Sequence, residues 1–186
     1  MSKVKDAVKL ILGHATTVGA ENITSEVINM PNFLDWSGSS KPYQHHYGRH
    51  GLVIHTSEVI DLCMFNNLKT NSNIDLKELF LAALFHDVGK VWDYEPTNED
   101  MSEWTSTDHK RKFHHISRSA IMWHDMAHKY DIVEDEVLHA ILAHHGQREW
   151  GSPVAPNTKL AWMLHLCDGI SARMYDAETW DQVKVK

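Results

Sequence analysis

Cysteine is scarce. The 186-residue chain has two, Cys63 and Cys167, spaced for neither a metal-binding pair nor a disulfide framework. That usage fits a reducing compartment, so a cytoplasmic protein is expected. Long apolar runs are also missing, and no membrane association is expected. The N-terminal stretch MSKVKDAVKLILGHA is basic and then apolar, but charges interrupt its short apolar part. It does not read as a secretory signal. An amphipathic helix over residues 2–17 fits better, with Val4, Ala7, Val8, Ile11 and Leu12 on one face. Positive charge is in deficit: Lys and Arg number 18, Asp and Glu 25, for a formal net charge of −7. This argues against a broad electropositive surface for gripping long nucleic acid. A local phosphate site is still possible, because bound divalent metals would bring positive charge to it. Repeats and low-complexity linkers are absent, and few segments alternate with period two.

What is present is helical periodicity. A short helix is expected to start with a cap near Thr24 and to end before Pro31. Residues 35–44, DWSGSSKPYQ, read as a loop. Gly48 to about Asn67 reads as a helix. The next is capped by Asp75, runs to His86 and is broken by Gly89. Residues 93–112 are polar and read as a surface excursion. Helices follow over 114–130, over 133–145 and from about Thr158 to Met174, with a loop at 146–157. The fold class is therefore all-α, a compact helical bundle in one domain over 1–186. Residues 1–41 supply N-terminal helices and a loop.

Histidine is in excess, with 15 in the chain, several of them paired: His45–His46, His114–His115 and His144–His145. LAALFHDVGK (81–90) ends an apolar helix with a carboxylate, and burying Asp87 there is costly unless a cation or several donors meet it. Asp168 lies one turn after Leu164 on another apolar helix. Alone, Asp168 could be a buried acid accepting backbone donors, and His55 a satisfied core histidine. As a set, His55, His86, Asp87, His115, His144, His145 and Asp168 each sit on or at the end of a core helix. Imidazole and carboxylate are the ligands that first-row metals take, and no cysteine is aligned with them. Adjacent residues do not share a mid-helix face. At a fraying last turn, however, His86–Asp87 or His144–His145 could converge on one metal or on two neighbouring ones.

These residues resemble the HD-domain metal-dependent phosphohydrolase superfamily. HHYGRHGLVIHTSEV (45–59), AALFHDVGK (82–90), HHISRSA (114–120), ILAHHGQREWGSPVAP (141–156) and LHLCDGISARM (164–174) are similar, in that order, to motifs of YhaM-type 3′–5′ exoribonuclease HD domains. The resemblance covers about 42–175. It implies His55, His86, Asp87 and Asp168 as ligands of one metal. It also implies His115, or His114 in its place, with His144 and His145 around a second metal, as in HD-GYP-like phosphodiesterases. Asp87 would bridge the two. The implied cofactors are two divalent transition-metal ions, Mn, Fe, Co or Ni, with Mg also possible. Water activated by the metals would attack phosphorus, with Asp87 and Lys90 as the catalytic residues. His46 matches a family histidine and is expected near the ligands or the substrate. Arg148, Arg173 and Arg118 are candidate phosphate contacts, and Trp150 and Tyr47 candidate stacking partners for a base or ribose. HKRK (109–112) reads as a solvated loop. His14, His50, His124, His128, His139 and His165 read as surface or packing residues.

Two departures bear on substrate. Residues 1–41 read as helix and loop where YhaM-type enzymes carry an oligonucleotide-binding fold, and Ser171 and Arg173 stand in a usually acidic segment. A nucleotide or single-stranded oligonucleotide is the expected partner, with phosphodiester cleavage from a 3′ end as the leading activity. A deoxynucleotidase, a dNTP triphosphohydrolase or a cyclic-nucleotide phosphodiesterase is the enzymatic alternative. A nucleotide-sensing module on a degenerate scaffold is the non-enzymatic one.

Overall fold

Asp75 starts the central helix. Its Oδ1 accepts from the amides of Lys77 and Glu78, both at 2.9 Å, and so satisfies two of the donors that a helix start leaves open. Residues Leu79 to Phe85 are all buried. A helix that is apolar on every side needs neighbours on every side. The computed structural model, which describes residues 2–133 and 135–174, supplies them. In chain order the helices are α1 (Ser2–Val18), α2 (Glu21–Ile28), α3 (Gly51–Thr70), the central α4 (Leu76–Phe85), α5 (Lys90–Asp93), α6 (Asp108–Lys112), α7 (His114–Lys129), α8 (Asp135–Ala143) and α9 (Lys159–Met174). A 3₁₀ turn covers Arg148–Trp150. Helices α1, α3, α7, α8 and α9 pack against α4, and α3 and α8 also pack against α9. The fold is all-α, as the periodicity led one to expect, with one small sheet. None of the described helices is long and apolar enough to cross a membrane.

That sheet lies in the polar stretch 93–112 and corrects its reading as a plain surface excursion. Strand β1 (Tyr94–Pro96) pairs antiparallel with β2 (Trp104–Ser106), Glu95 opposite Thr105, and α6 follows. The buried rings of Tyr94 and Trp104 anchor it, the latter edge-on to Trp36 with centroids 5.1 Å apart. Helix α1 buries Ala7, Ile11 and Ala15 and leaves Leu12 41% exposed, so its buried face is rotated from the expected one. Burying Ile11 fully contributes about 1.5–3 kcal/mol. Helix α2 begins at Glu21, not near Thr24. Its N-cap Ala20 makes no side-chain bond, and Thr24 is buried within the helix.

Helix α3 begins at Gly51 and not at Gly48, because Gly48 and His50 take left-handed φ of 99° and 72°. The amides of His50 and Leu52 instead bond to the carbonyls of Asp35 and Trp36. This folds loop 37–48 onto the start of α3. A Cβ on Gly51 would lie 1.8 Å from the His46 carbonyl oxygen, so only glycine fits there.

Gly89 also has a different role from the one expected. Its φ is −63°, so it is no left-handed helix stop. A Cβ there would lie 2.3 Å from the carbonyl oxygen of His115, which makes it the point where the turn after α4 meets α7. Gly89→Ala should destabilise the protein by about 1–3 kcal/mol, the usual effect of overpacking. Urea unfolding would measure this; an unchanged midpoint would show that α7 can yield freely.

Candidate metal centre

Helix α4 ends at Phe85 and delivers His86 and Asp87 into the interior, where both are buried. Oδ2 of Asp87 lies 3.2 Å from His55 Nε2 on α3 and 3.4 Å from His86 Nε2. Asp168 on α9 joins this side, with its Oδ1 3.1 Å from the same nitrogen of His55. Oδ1 of Asp87 faces the other way. It lies 3.3 Å from His115 Nε2 on α7 and 3.6 Å from His144 Nε2 just past α8. The ligand atoms of His55, His86 and Asp168 lie within 4.8 Å of one another, as do those of His115, His144 and His145. One carboxylate thus has one oxygen toward each of two clusters.

Every imidazole in the two clusters has its Nδ1 occupied. His86 bonds to the Ala83 carbonyl at 2.8 Å, His144 to that of Ile141 at 2.7 Å and His145 to that of Trp150 at 2.8 Å. His55 meets Ser171 Oγ at 3.0 Å, and that hydroxyl donates to Glu58 at 2.8 Å. His115 meets Asp93 Oδ2 at 3.1 Å, and its own amide donates to the same oxygen at 2.9 Å. Carbonyl and carboxylate acceptors put the proton on Nδ1 and leave Nε2 as the lone pair, the usual outer arrangement of a histidine ligand.

The protonation states suit a cation as well. Burial holds His86 below the usual imidazole range and pushes His115 to about 3 and His145 to about 2, which keeps them neutral. Burial also works to raise the Asp87 carboxyl, but Lys90 and the surrounding imidazoles outweigh it and hold it well below the carboxylate range. His55 behaves differently. Burial lowers it, yet Asp168 and Asp87 raise it to about 8. Its Nε2 faces both carboxylates, an arrangement of three donor atoms that suits a cation. Asp87 Oδ1, His115 Nε2 and His144 Nε2 are buried without a hydrogen-bond partner. Buried polar atoms are almost always paired, and three converging orphans of acceptor type are a set that a cation would satisfy. The donor set and its orphans therefore fit divalent metal on both sides of Asp87.

Lys90 is buried, with its Nζ 2.5 Å from Asp87 Oδ2. His115, not His114, faces Asp87. His114 has a left-handed φ of 63° and is only partly buried. A cleft of about 430 Å³ opens beside the clusters, lined by Asp168, His145, Trp150 and Arg173 among others. The remaining substrate candidates lie off it. His46 is buried behind His55, 3.0 Å from Glu58. The Tyr47 hydroxyl accepts from the amide of Trp104 at 3.1 Å and is engaged in holding β2. Arg148 is exposed on the 3₁₀ turn and does not line the cleft. The Arg118 guanidinium lies over the Trp92 ring, 5.2 Å from its centre.

Sequence reasoning missed several contributors. His45 and His165 line the cleft. Behind the cluster histidines stand Asp93, Glu58 and Ser171. Asp93 is fully buried and takes His115 on one oxygen and His109 on the other at 2.8 Å. Its signal was there: an acid inside an apparently polar excursion, six residues after Asp87. Asp93→Asn should weaken metal affinity 10–100-fold while the fold survives, in line with other partners of ligating histidines. Metal titration by calorimetry would measure this; unchanged affinity would reduce Asp93 to a packing residue.

No solved structure matches the chain. The family model described as HD domain matches residues 52–173, the span that carries both clusters, and the chain belongs to the HD-domain family.

Proposed function

We propose that the protein is a metal-dependent phosphodiesterase that shortens nucleic acid or oligonucleotide ends in the 3′–5′ direction, as in the YhaM-type domains it resembles. Membership of the HD family places it in a superfamily of metal-dependent phosphohydrolases. The observation carrying the proposal is the Asp87 carboxylate, with Oδ2 toward His55 and His86 and Oδ1 toward His115 and His144.

His55, His86 and Asp168 would hold one divalent ion with Asp87 Oδ2, and His115, His144 and His145 a second with Oδ1. When bound, such ions supply an activated water and Lewis-acid stabilisation of charge on phosphoryl oxygens. The protein's own residues set the rest. The Nδ1 bonds fix each ring, so the site needs little reorganisation as charge develops. Lys90 neutralises Asp87 at 2.5 Å. With that carboxylate held by a divalent ion, the Lys90 ammonium would be free to donate to a phosphoryl oxygen. Asp168 and His145 form part of the cleft wall, so a phosphate entering there reaches both clusters.

The test is a screen of the purified protein with Mn²⁺, Co²⁺, Ni²⁺ or Mg²⁺ against 3′- and 5′-labelled oligonucleotides and a mononucleotide panel. Stepwise loss from the 3′ end is the expected result. Turnover of mononucleotides alone would replace the proposal with a nucleotide hydrolase, and no turnover with any metal would remove it.

A further inference from the structure

The cleft beside the clusters is small and unevenly equipped. Its volume of about 430 Å³ is near the low end for small-molecule sites. Two features of its wall stand out. The first is Trp150, 55% exposed although its backbone is firmly held. Its carbonyl accepts from His145 Nδ1 at 2.8 Å, and its indole lies 6.3 Å from the His165 ring at 27°. His165 is itself fixed, through Nδ1, to the His144 carbonyl at 2.8 Å. The left-handed Gly146 makes room for it: a Cβ there would lie 2.4 Å from that ring. The indole is thus a preformed flat shelf, attached to the turn that also positions two cluster histidines. The second feature is Arg173. Among the described residues it is the only lysine or arginine lining the cleft, and it has no carboxylate partner there. Its Nη1 donates to the Gly169 carbonyl at 3.4 Å.

We infer that this cleft is a subsite for one nucleotide: the base stacks on Trp150, Arg173 takes one phosphate beyond the reacting one, and recognition ends there. Stacking suits any base, since each offers a π face. Holding a long polyanion takes several phosphate contacts, and a single guanidinium gives one. The substrate class is therefore a nucleotide or the last dinucleotide unit of a chain. This inference rests on the phosphohydrolase reading above and specifies its substrate.

Calorimetric titration of the 186-residue protein with adenosine 5′-monophosphate and with ribose 5-phosphate tests it without relying on turnover. The nucleotide should bind roughly 5- to 150-fold more tightly, the range that one base–aromatic stack provides. Trp150→Leu should erase that difference, and Arg173→Gln should weaken both ligands. Equal binding of the two ligands, or a difference that survives Trp150→Leu, would overturn the base shelf. The length limit is read from turnover: kcat/KM should level off between a dinucleotide and a decanucleotide. A steady rise across that series would overturn it. Nucleotide binding as expected, with no phosphoester cleaved, would remove the reaction assignment and leave the subsite in place.

Discussion

Asp87→Ala should abolish metal binding at both clusters and lower phosphoester turnover by on the order of 10³-fold or more, since losing even one preorganised stabilising group usually costs 10²–10³. The reason lies in the two faces of one carboxylate, Oδ2 toward His55, His86 and Lys90 and Oδ1 toward His115 and His144. Among the described residues no other acid can substitute on both sides, because Asp168 approaches the first cluster alone. The substitution also affects stability. Lys90 is buried, and without Asp87 its ammonium loses the anion beside it. Removing one partner of a buried ion pair typically costs about 3–5 kcal/mol. Asp87→Asn keeps the volume and serves as the companion variant if the alanine protein does not fold. Native protein should unfold at higher temperature with Mn²⁺ than with a chelator, by ligand linkage. In either variant the two curves should coincide. Turnover or a metal-dependent midpoint surviving in both variants would remove Asp87 from its bridging role.

Lys90→Met should give the second large effect, with a different signature. Without metal, the buried Asp87 carboxylate loses its nearest cation, and stability should fall by about 3–5 kcal/mol. Mn²⁺ should restore most of that, because the ions provide the charge that Lys90 supplied. Activity should not follow. If the ammonium meets the phosphoryl oxygen once metals hold Asp87, kcat should stay down by roughly 10²–10³-fold with metal fully bound. Elemental analysis and turnover on the same sample separate the two roles. A variant unable to retain metal would make Lys90 a support of the site and not a participant in the reaction.

The layout of α4 was legible because one helix carried all the signals: the Asp75 cap, seven apolar residues in succession, and His86–Asp87 at the end. The candidate ligands were legible as a set because buried histidines at helix ends have few other roles, and the ordered motifs added to that. Other features depended on contacts far apart in sequence. Gly89 reads as a helix stop from its position, but the reason for glycine is the carbonyl of His115, which no local pattern reveals. Tyr47 sits among the motifs and reads as a stacking residue, yet its hydroxyl serves the amide of Trp104. Asp93, Glu58 and Ser171 were hidden because orienting residues have no spacing rule of their own. They are defined by the imidazole in front of them. Thr24 misled as a cap because a threonine before an apolar run has the same pattern inside a helix as at its start.

Metal stoichiometry tests the two-cluster site most directly. The native chain, stripped and then reconstituted with Mn²⁺, should hold two ions by elemental analysis after gel filtration. A His115→Ala and His144→Ala double variant should hold one. One ion or none in the native chain, or two in the double variant, would contradict a centre built on the two faces of Asp87.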